Sequence, residues 1–194
     1  TVRPPRVGPV PAAVRSVWTP ANVVTSVRLV LVPLVVAALL VDDDGGWRLV
    51  ATALFVLAAA TDRLDGWLAR HRDEVTEWGK LVDPIADKAL MGGALVTLSW
   101  LGDLPWWVTV VILVRELGIT ALRLAVLRYV VIPASRGGKL KTVLQSVGIG
   151  LFLLPLDRLP DAVGTVAWVV VLLAVVVTVV TGVDYVRRGW QVRR

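Results

Sequence analysis

The sequence predicts an all-α integral membrane protein with six transmembrane helices and a short N-terminal interfacial helix. Composition is the first observation: 56% of the 194 residues are apolar and the mean hydropathy is +0.73, which is high for a soluble domain. Arrangement is the second, because the apolar residues form long tracts separated by short charged or glycine- and proline-rich turns. The chain length is that of one domain.

Six apolar tracts approach the roughly 20 residues that a helix needs to cross a bilayer. They are expected at residues 22–41, 47–70, 79–101, 105–128, 140–156 and 163–183. The first follows a helix start, with Thr19 as N-cap and Pro20 at the first helical position. Pro105, Trp106 and Trp107 open the fourth tract at a membrane interface.

The segments outside these tracts are interpreted as tails and turns. A tail with an interfacial helix at 12–18 occupies residues 1–19, the six-helix domain residues 20–186, and a basic cytoplasmic tail residues 187–194. Adjacent aspartates at 42–44 do not share a helix face, so we expect a solvent-exposed turn there and not a metal site. A basic loop at 136–142 and a turn at 157–161 flank the start and the end of the fifth tract.

Positive charge orients the predicted bundle. Of the 21 Lys and Arg residues, all but Arg48 and Arg158 lie at or near one side of the six spans. The positive-inside rule makes that side cytoplasmic and places both termini on it. Because the basic residues are spread over loops between apolar spans, the net charge of +6 does not indicate nucleic-acid binding.

Four aspartates at the cytoplasmic ends of the second and third tracts form the main candidate site. Asp62 and Asp65 are three residues apart, and Asp83 and Asp87 are four apart, so each pair shares one helix face. Four carboxylates in a low-dielectric setting repel one another unless a cation neutralises them. Oxygen ligands favour Mg²⁺ or Mn²⁺ over Zn²⁺, and two ions are expected.

The pattern Asp-x2-Asp-Gly-x2-Ala-Arg-x8-Gly-x3-Asp-x3-Asp, from Asp62 to Asp87, resembles the signature of the CDP-alcohol phosphotransferase family of membrane enzymes without a mismatch. The resemblance implies that the four aspartates bind metal and that Asp87 is also the catalytic base. It also implies contacts to the CDP-linked lipid donor, CDP-diacylglycerol. The residues concerned are Asp65, Gly66, Arg70, Gly79 and Thr25.

Blocks at residues 20–28, 115–123 and 134–142 are similar to those of bacterial family members that make phosphatidylglycerophosphate, although residues 20–28 carry a one-residue insertion before Asn22. The resemblance implies transfer of a phosphatidyl group from CDP-diacylglycerol to glycerol 3-phosphate, with release of CMP. An acceptor that carries a phosphate needs cations near the metal site. The candidates are Arg115, Arg123, Lys139 and Lys141.

Several alternatives stay open at this stage. Arg115 with Glu116 could form a purely structural pair, and the two lysines could be ordinary cytoplasmic anchors. Another acceptor, namely inositol phosphate, phosphatidylglycerol or serine, would keep the same chemistry, and a divalent-cation transporter would use the same acids. The chain has no Cys and one His, so it has few of the residues that a thiolate or imidazole zinc site or a Ser-His-Asp triad needs. The lipid bilayer and a homodimer complete the expected partners.

Overall fold

A computed structural model describes residues 20–41, 45–72, 77–126 and 136–191, with side chains described at 25–41, 45–61, 85–86, 88–121 and 140–187. This part of the chain forms six α-helices and one 3-10 helix, with no strand. The α-helices are α1 (Pro20–Leu40), α2 (Gly46–Arg72), α3 (Glu77–Trp100), α4 (Trp106–Val126), α5 (Arg136–Leu153) and α6 (Asp161–Gln191). The all-α prediction is confirmed for these residues, whereas the interfacial helix at 12–18 and the acidic turn at 42–44 lie outside them.

α5 begins earlier than the fifth predicted span. The prediction of a basic loop at 136–142 is wrong, because these residues form the first two turns of the helix. Arginine, lysine and leucine are good helix formers, so the intrinsic cost of a helix here comes mainly from the two glycines, roughly 1 kcal/mol each. Tertiary contact adds to this preference, since Lys141 is buried and pairs with a carboxylate on α4. The helix ends at Leu153 and not at residue 156, because the residue before Pro155 is disfavoured in the helical conformation.

α6 extends beyond the sixth predicted span at both ends. It covers 31 residues, or about 46 Å at 1.5 Å per residue. The helix therefore continues through Arg187, where the basic tail was expected to begin. No proline interrupts this stretch. The preceding turn contains the 3-10 helix Leu156–Arg158.

The structure confirms six helices in the described residues, but it does not confirm that all six cross a membrane. In the part of the chain that the structure describes, one segment, Asp161–Arg187, is long and apolar enough to cross a membrane by length and composition alone. Shorter apolar stretches occupy Thr25–Leu40, Gly46–Thr61 and Leu140–Leu153. The helices that carry candidate site residues are less uniformly apolar, since α4 has Arg115 and Glu116 near its middle.

The bundle packs around a core to which all six helices contribute. Core side chains include Val35, Phe55, Leu95, Ile112, Leu153 and Val171. α5 and α6 approach closely at Gly148, where an added Cβ would lie 2.7 Å from Val171 Cγ2. The outer surface is also apolar: Val114 is 66% exposed and Trp100 76% exposed. Large apolar side chains on the outside and polar side chains such as Thr97 and Gln145 in the interior fit a bundle surrounded by lipid.

One end of the bundle is held together by charge pairing and a tight turn. Arg48 at the start of α2 forms an ion pair with Asp103 in the α3–α4 turn, and its Nη1 donates to the Leu154 carbonyl oxygen at 3.4 Å. Gly102 has φ +85°, and the Asp103 N–H donates to the Leu98 carbonyl oxygen at 3.0 Å. This left-handed glycine ends α3 between the third and fourth predicted tracts.

Candidate active site

The motif-bearing segments lie at the end of the bundle opposite the Arg48–Asp103 pair. α2 leads away from Arg48, and α3 returns toward Asp103. Contacts from Lys88 to Thr120 and from Lys141 to Glu116 bring α4 and α5 to the same end. We call this the motif end: α2 from Asp62 onward, α3 up to Lys88, α4 from Arg115 onward and α5 up to Gln145.

The carboxylate of Glu116 connects two cations at the motif end. Arg115 Nη1 lies 3.2 Å from Glu116 Oε1, and Lys141 Nζ from α5 contacts the same oxygen. The three side chains are largely enclosed, with exposures of 15% for Arg115, 21% for Glu116 and 7% for Lys141. Charge-assisted hydrogen bonds in such surroundings are stronger than those at an open surface. One carboxylate thereby holds two of the predicted acceptor-binding residues together.

Arg115 is also tied to α6. Its Nε donates to the Thr178 carbonyl oxygen at 3.2 Å, and its Nη2 donates to Thr181 Oγ1 at 3.0 Å. Gly182 permits this approach, because an added Cβ there would lie 3.1 Å from Arg115 Cγ. Backbone and hydroxyl acceptors on α6 therefore fix the guanidinium in addition to Glu116.

Four polar residues that the sequence analysis did not select join this cluster. Lys88 Nζ donates to Thr120 Oγ1, and Gln145 Nε2 donates to Thr178 Oγ1 at 3.0 Å. Lys88 follows Asp87 directly, and Gln145 lies one helical turn after Lys141. These positions could have identified both residues as site candidates from the sequence, since each puts a polar side chain beside a candidate residue within an apolar tract.

A cavity of about 70 Å³ lies between α3, α4 and α5. Its polar lining comes from Lys88, Glu116, Lys141, Thr142 and Gln145, and its apolar lining includes Leu95 and Ile112. This volume is enough for a few water molecules or a small polar group. The lysines make the polar part of the cavity suitable for an anion.

α1 contributes two buried polar residues near its N-terminal end. Thr25 and Arg28 lie one turn apart on the helix, and each is 2% exposed. Burying a guanidinium is costly unless polar or anionic groups surround it. Thr25 is a predicted donor-binding residue, and Arg28 belongs to the same sequence block.

The remaining predicted site residues lie on described helices, but their side chains are outside the described residues. On α2 these are Asp62, Asp65, Gly66 and Arg70; on α3, Gly79, Asp83 and Asp87; on α4, Arg123; and on α5, Lys139. α2 and α3 are helical throughout the motif segments, as the same-face argument requires. Convergence of the four carboxylates stays a prediction.

Comparison with known proteins decides the family. The sequence profile of the CDP-alcohol phosphatidyltransferase family matches residues 18–180. The chain belongs to this family. A Mycobacterium tuberculosis protein named probable phosphatidylglycerophosphate synthase is 56% identical over 171 residues, which cover 87% of this chain and 80% of that protein. Proteins named CDP-diacylglycerol–glycerol-3-phosphate 3-phosphatidyltransferase are 33% identical in Bacillus subtilis, over 88% of this chain and 94% of that protein, and 34% identical in Rickettsia felis, over 84% and 91%.

CDP-alcohol phosphatidyltransferases generally depend on a divalent metal ion. Among the side chains that the structure describes, no group of three or more His, Cys, Asp or Glu residues could hold one. The four aspartates of the motif on α2 and α3 nevertheless fit a hard cation, because carboxylates at helical spacing supply only oxygen ligands.

Proposed function

We infer that this protein transfers a phosphatidyl group from CDP-diacylglycerol to sn-glycerol 3-phosphate, giving phosphatidylglycerophosphate and CMP in phospholipid biosynthesis. The observation that carries this inference is the similarity to the probable phosphatidylglycerophosphate synthase over 87% of the chain. The junction of Arg115 and Lys141 at Glu116 supports it, since both cations lie at the motif end.

The proposal includes location. We place all six helices across the inner membrane of a bacterial cell, with both termini and the motif end in the cytoplasm. The exposed apolar surface and the bias of Lys and Arg toward one side support this arrangement. CDP-diacylglycerol would then enter from the inner leaflet and glycerol 3-phosphate from the cytoplasm. A homodimer is part of the proposal, and cross-linking in membranes tests it.

Asp62, Asp65, Asp83 and Asp87 would hold two Mg²⁺ or Mn²⁺ ions. When bound, such ions polarise the pyrophosphate and stabilise the charge of the leaving CMP. The protein's own groups orient the donor: Gly66 and Gly79 leave room for the nucleotide, while Arg70 and Thr25 contact CDP-diacylglycerol.

The chemical step is a direct displacement. Asp87 takes the proton of the 1-hydroxyl of glycerol 3-phosphate, whose oxygen attacks the phosphorus that carries the diacylglycerol. A new P–O bond forms, the bond from this phosphorus to the CMP oxygen breaks, and CMP leaves. Four cations bind the phosphate of the acceptor, at the other end of the molecule from the reacting hydroxyl. They are Arg115, Arg123, Lys139 and Lys141.

An acceptor panel tests the proposal. Purified protein in detergent is given CDP-diacylglycerol with Mg²⁺ or Mn²⁺ and one of glycerol 3-phosphate, inositol phosphate, phosphatidylglycerol or serine, and CMP release is measured. We expect release with glycerol 3-phosphate and none after chelation. Preference for another acceptor would contradict the assigned substrate, and no CMP release with any acceptor would favour a transporter.

A further inference from the structure

Glu116 has contacts that neither the motif nor the acceptor assignment explains. Its carboxylate joins a cation of its own helix to a cation of α5, across 25 residues of sequence. We propose that Glu116 is a positioning residue for the acceptor, holding the Lys141 ammonium where it receives the phosphate of glycerol 3-phosphate. The proposal rests on the proposed function and deepens it.

Arg115 is fixed by partners besides Glu116. It donates to the Thr178 carbonyl oxygen at 3.2 Å and to Thr181 Oγ1 at 3.0 Å, and neither bond involves the carboxylate. Lys141 reaches Glu116 with the end of a flexible four-carbon side chain. Loss of the carboxylate should therefore leave Arg115 in place and remove a charge partner that fixes the end of the Lys141 side chain.

Holding the lysine in advance favours binding. A free lysine loses rotamer freedom when it binds a phosphate, whereas one already held by a carboxylate has lost much of that freedom before the ligand arrives. The Lys141 side chain is 7% exposed, so few other orientations reach solvent. A positioned ammonium should thus bind the acceptor more tightly than a mobile one.

The carboxylate does not make the cavity repulsive to phosphate. Glu116 contacts Arg115 and Lys141, so the three charges sum to a net positive group, and Lys88 adds another positive charge to the cavity wall. Without Glu116, the two cations that now share its carboxylate, Arg115 and Lys141, would repel each other. That repulsion would turn the more flexible lysine away.

A double-mutant cycle tests this role. Glu116→Gln keeps the size of the side chain and removes its charge. We expect the KM for glycerol 3-phosphate to rise about tenfold, while kcat and the KM for CDP-diacylglycerol change less than about twofold. In a Lys141→Met background the same substitution should have almost no further effect on the acceptor KM, because the residue it positions is absent.

Two further variants separate positioning from general stability. Glu116→Asp retains the charge, so its KM for glycerol 3-phosphate should lie between those of the wild type and Glu116→Gln. Asp103→Asn removes a carboxylate from the ion pair with Arg48 at the opposite end, and should lower the melting temperature without changing the acceptor KM. If Glu116→Gln does not fold, Glu116→Asp replaces it in the cycle, with non-additive effects again expected.

Two kinds of result would overturn the proposal. Additive effects of the Glu116 and Lys141 substitutions, or a lower acceptor KM in Glu116→Gln, would exclude a positioning role while leaving the proposed function intact. Wild-type protein that releases CMP only with an acceptor lacking a phosphate would overturn the proposed function, and this proposal with it.

Discussion

Lys141 is a charged residue with almost no contact with solvent. It is 5% exposed, its ammonium pairs with Glu116, and it lines the cavity between α3, α4 and α5. A cation that only anchors a helix at the membrane surface would extend its charge into water. Lys141 instead points its charge into the bundle, which favours a role in binding over a role as an anchor.

Neutralising Lys141 should weaken acceptor binding specifically. Lys141→Met removes a charge-assisted contact of roughly 1.5–3 kcal/mol, which corresponds to about a ten- to hundredfold loss in kcat/KM. The loss should appear mainly as a higher KM for glycerol 3-phosphate in a CMP-release assay. Asp87→Asn is the contrasting variant, because loss of the base should lower kcat. An equal rise in the KM of donor and acceptor would show that Lys141 serves only the packing of the bundle.

The metal site should also contribute to stability. Since four carboxylates repel one another without a cation, chelation should abolish activity and lower the melting temperature of the wild type. Asp83→Asn should lose most of the stabilisation by Mg²⁺ or Mn²⁺, measured as the shift in melting temperature with added metal. Wild-type activity in this variant would contradict its assignment as a ligand.

At the scale of helices, the α5–α6 contact holds one side of the site in place. α6 seats Arg115 through Thr178 and Thr181, and α5 carries Lys141. The two helices meet where Gly148 faces Val171. Their spacing therefore affects the distance between the two cations and Glu116.

Two glycine substitutions test this packing. At Gly148 an alanine Cβ would lie 2.7 Å from Val171 Cγ2 and 3.4 Å from the Val171 backbone, so Gly148→Ala should destabilise the protein by about 1–3 kcal/mol. Gly164→Ala is the matched control, since no atom beyond the local backbone of its own helix and its chain neighbours lies within 4 Å of the added Cβ. The control should leave the melting temperature in detergent unchanged or raise it. Equal melting temperatures for the two variants would contradict the close contact.

At the scale of the whole molecule, the candidate site residues lie at one end of the bundle. The opposite end has the Arg48–Asp103 ion pair, the short turn after α3 and a polar pocket of about 390 Å³. The motif end has the candidate cations, the cavity and the motif helices. Apolar side chains such as Val30, Leu117 and Val180, each at least 60% exposed, cover the outside between the two ends. Substrates should therefore reach the site from one side of the membrane.

Thiol labelling of this Cys-free chain tests that orientation. Cysteines introduced at Asp44 and Asp157 should react with an impermeant reagent added outside intact cells, whereas one introduced at Arg136 should react only after the cells are opened. The opposite pattern would place the motif end outside the cytoplasm, away from glycerol 3-phosphate.

The sequence by itself determined the helical class, the family and the order of the elements. These features depend on local properties: apolar tracts of suitable length, and the motif spacing from Asp62 to Asp87. Helix ends were less predictable: charge and glycine suggested a loop at residues 136–142, whereas these residues begin α5, and burial of Lys141 contributes to that.

Only the tertiary structure decided which polar residues meet. Glu116 and Lys141 are 25 residues apart, and Arg115 and Thr181 are 66 apart. No periodicity along the chain links them, since their proximity follows from how α4 packs against α5 and α6. Adjacent position in sequence suggested that Arg115 and Glu116 form a pair; the fold adds Lys141 to that pair, because a buried charge needs an opposite charge that only another helix supplies here.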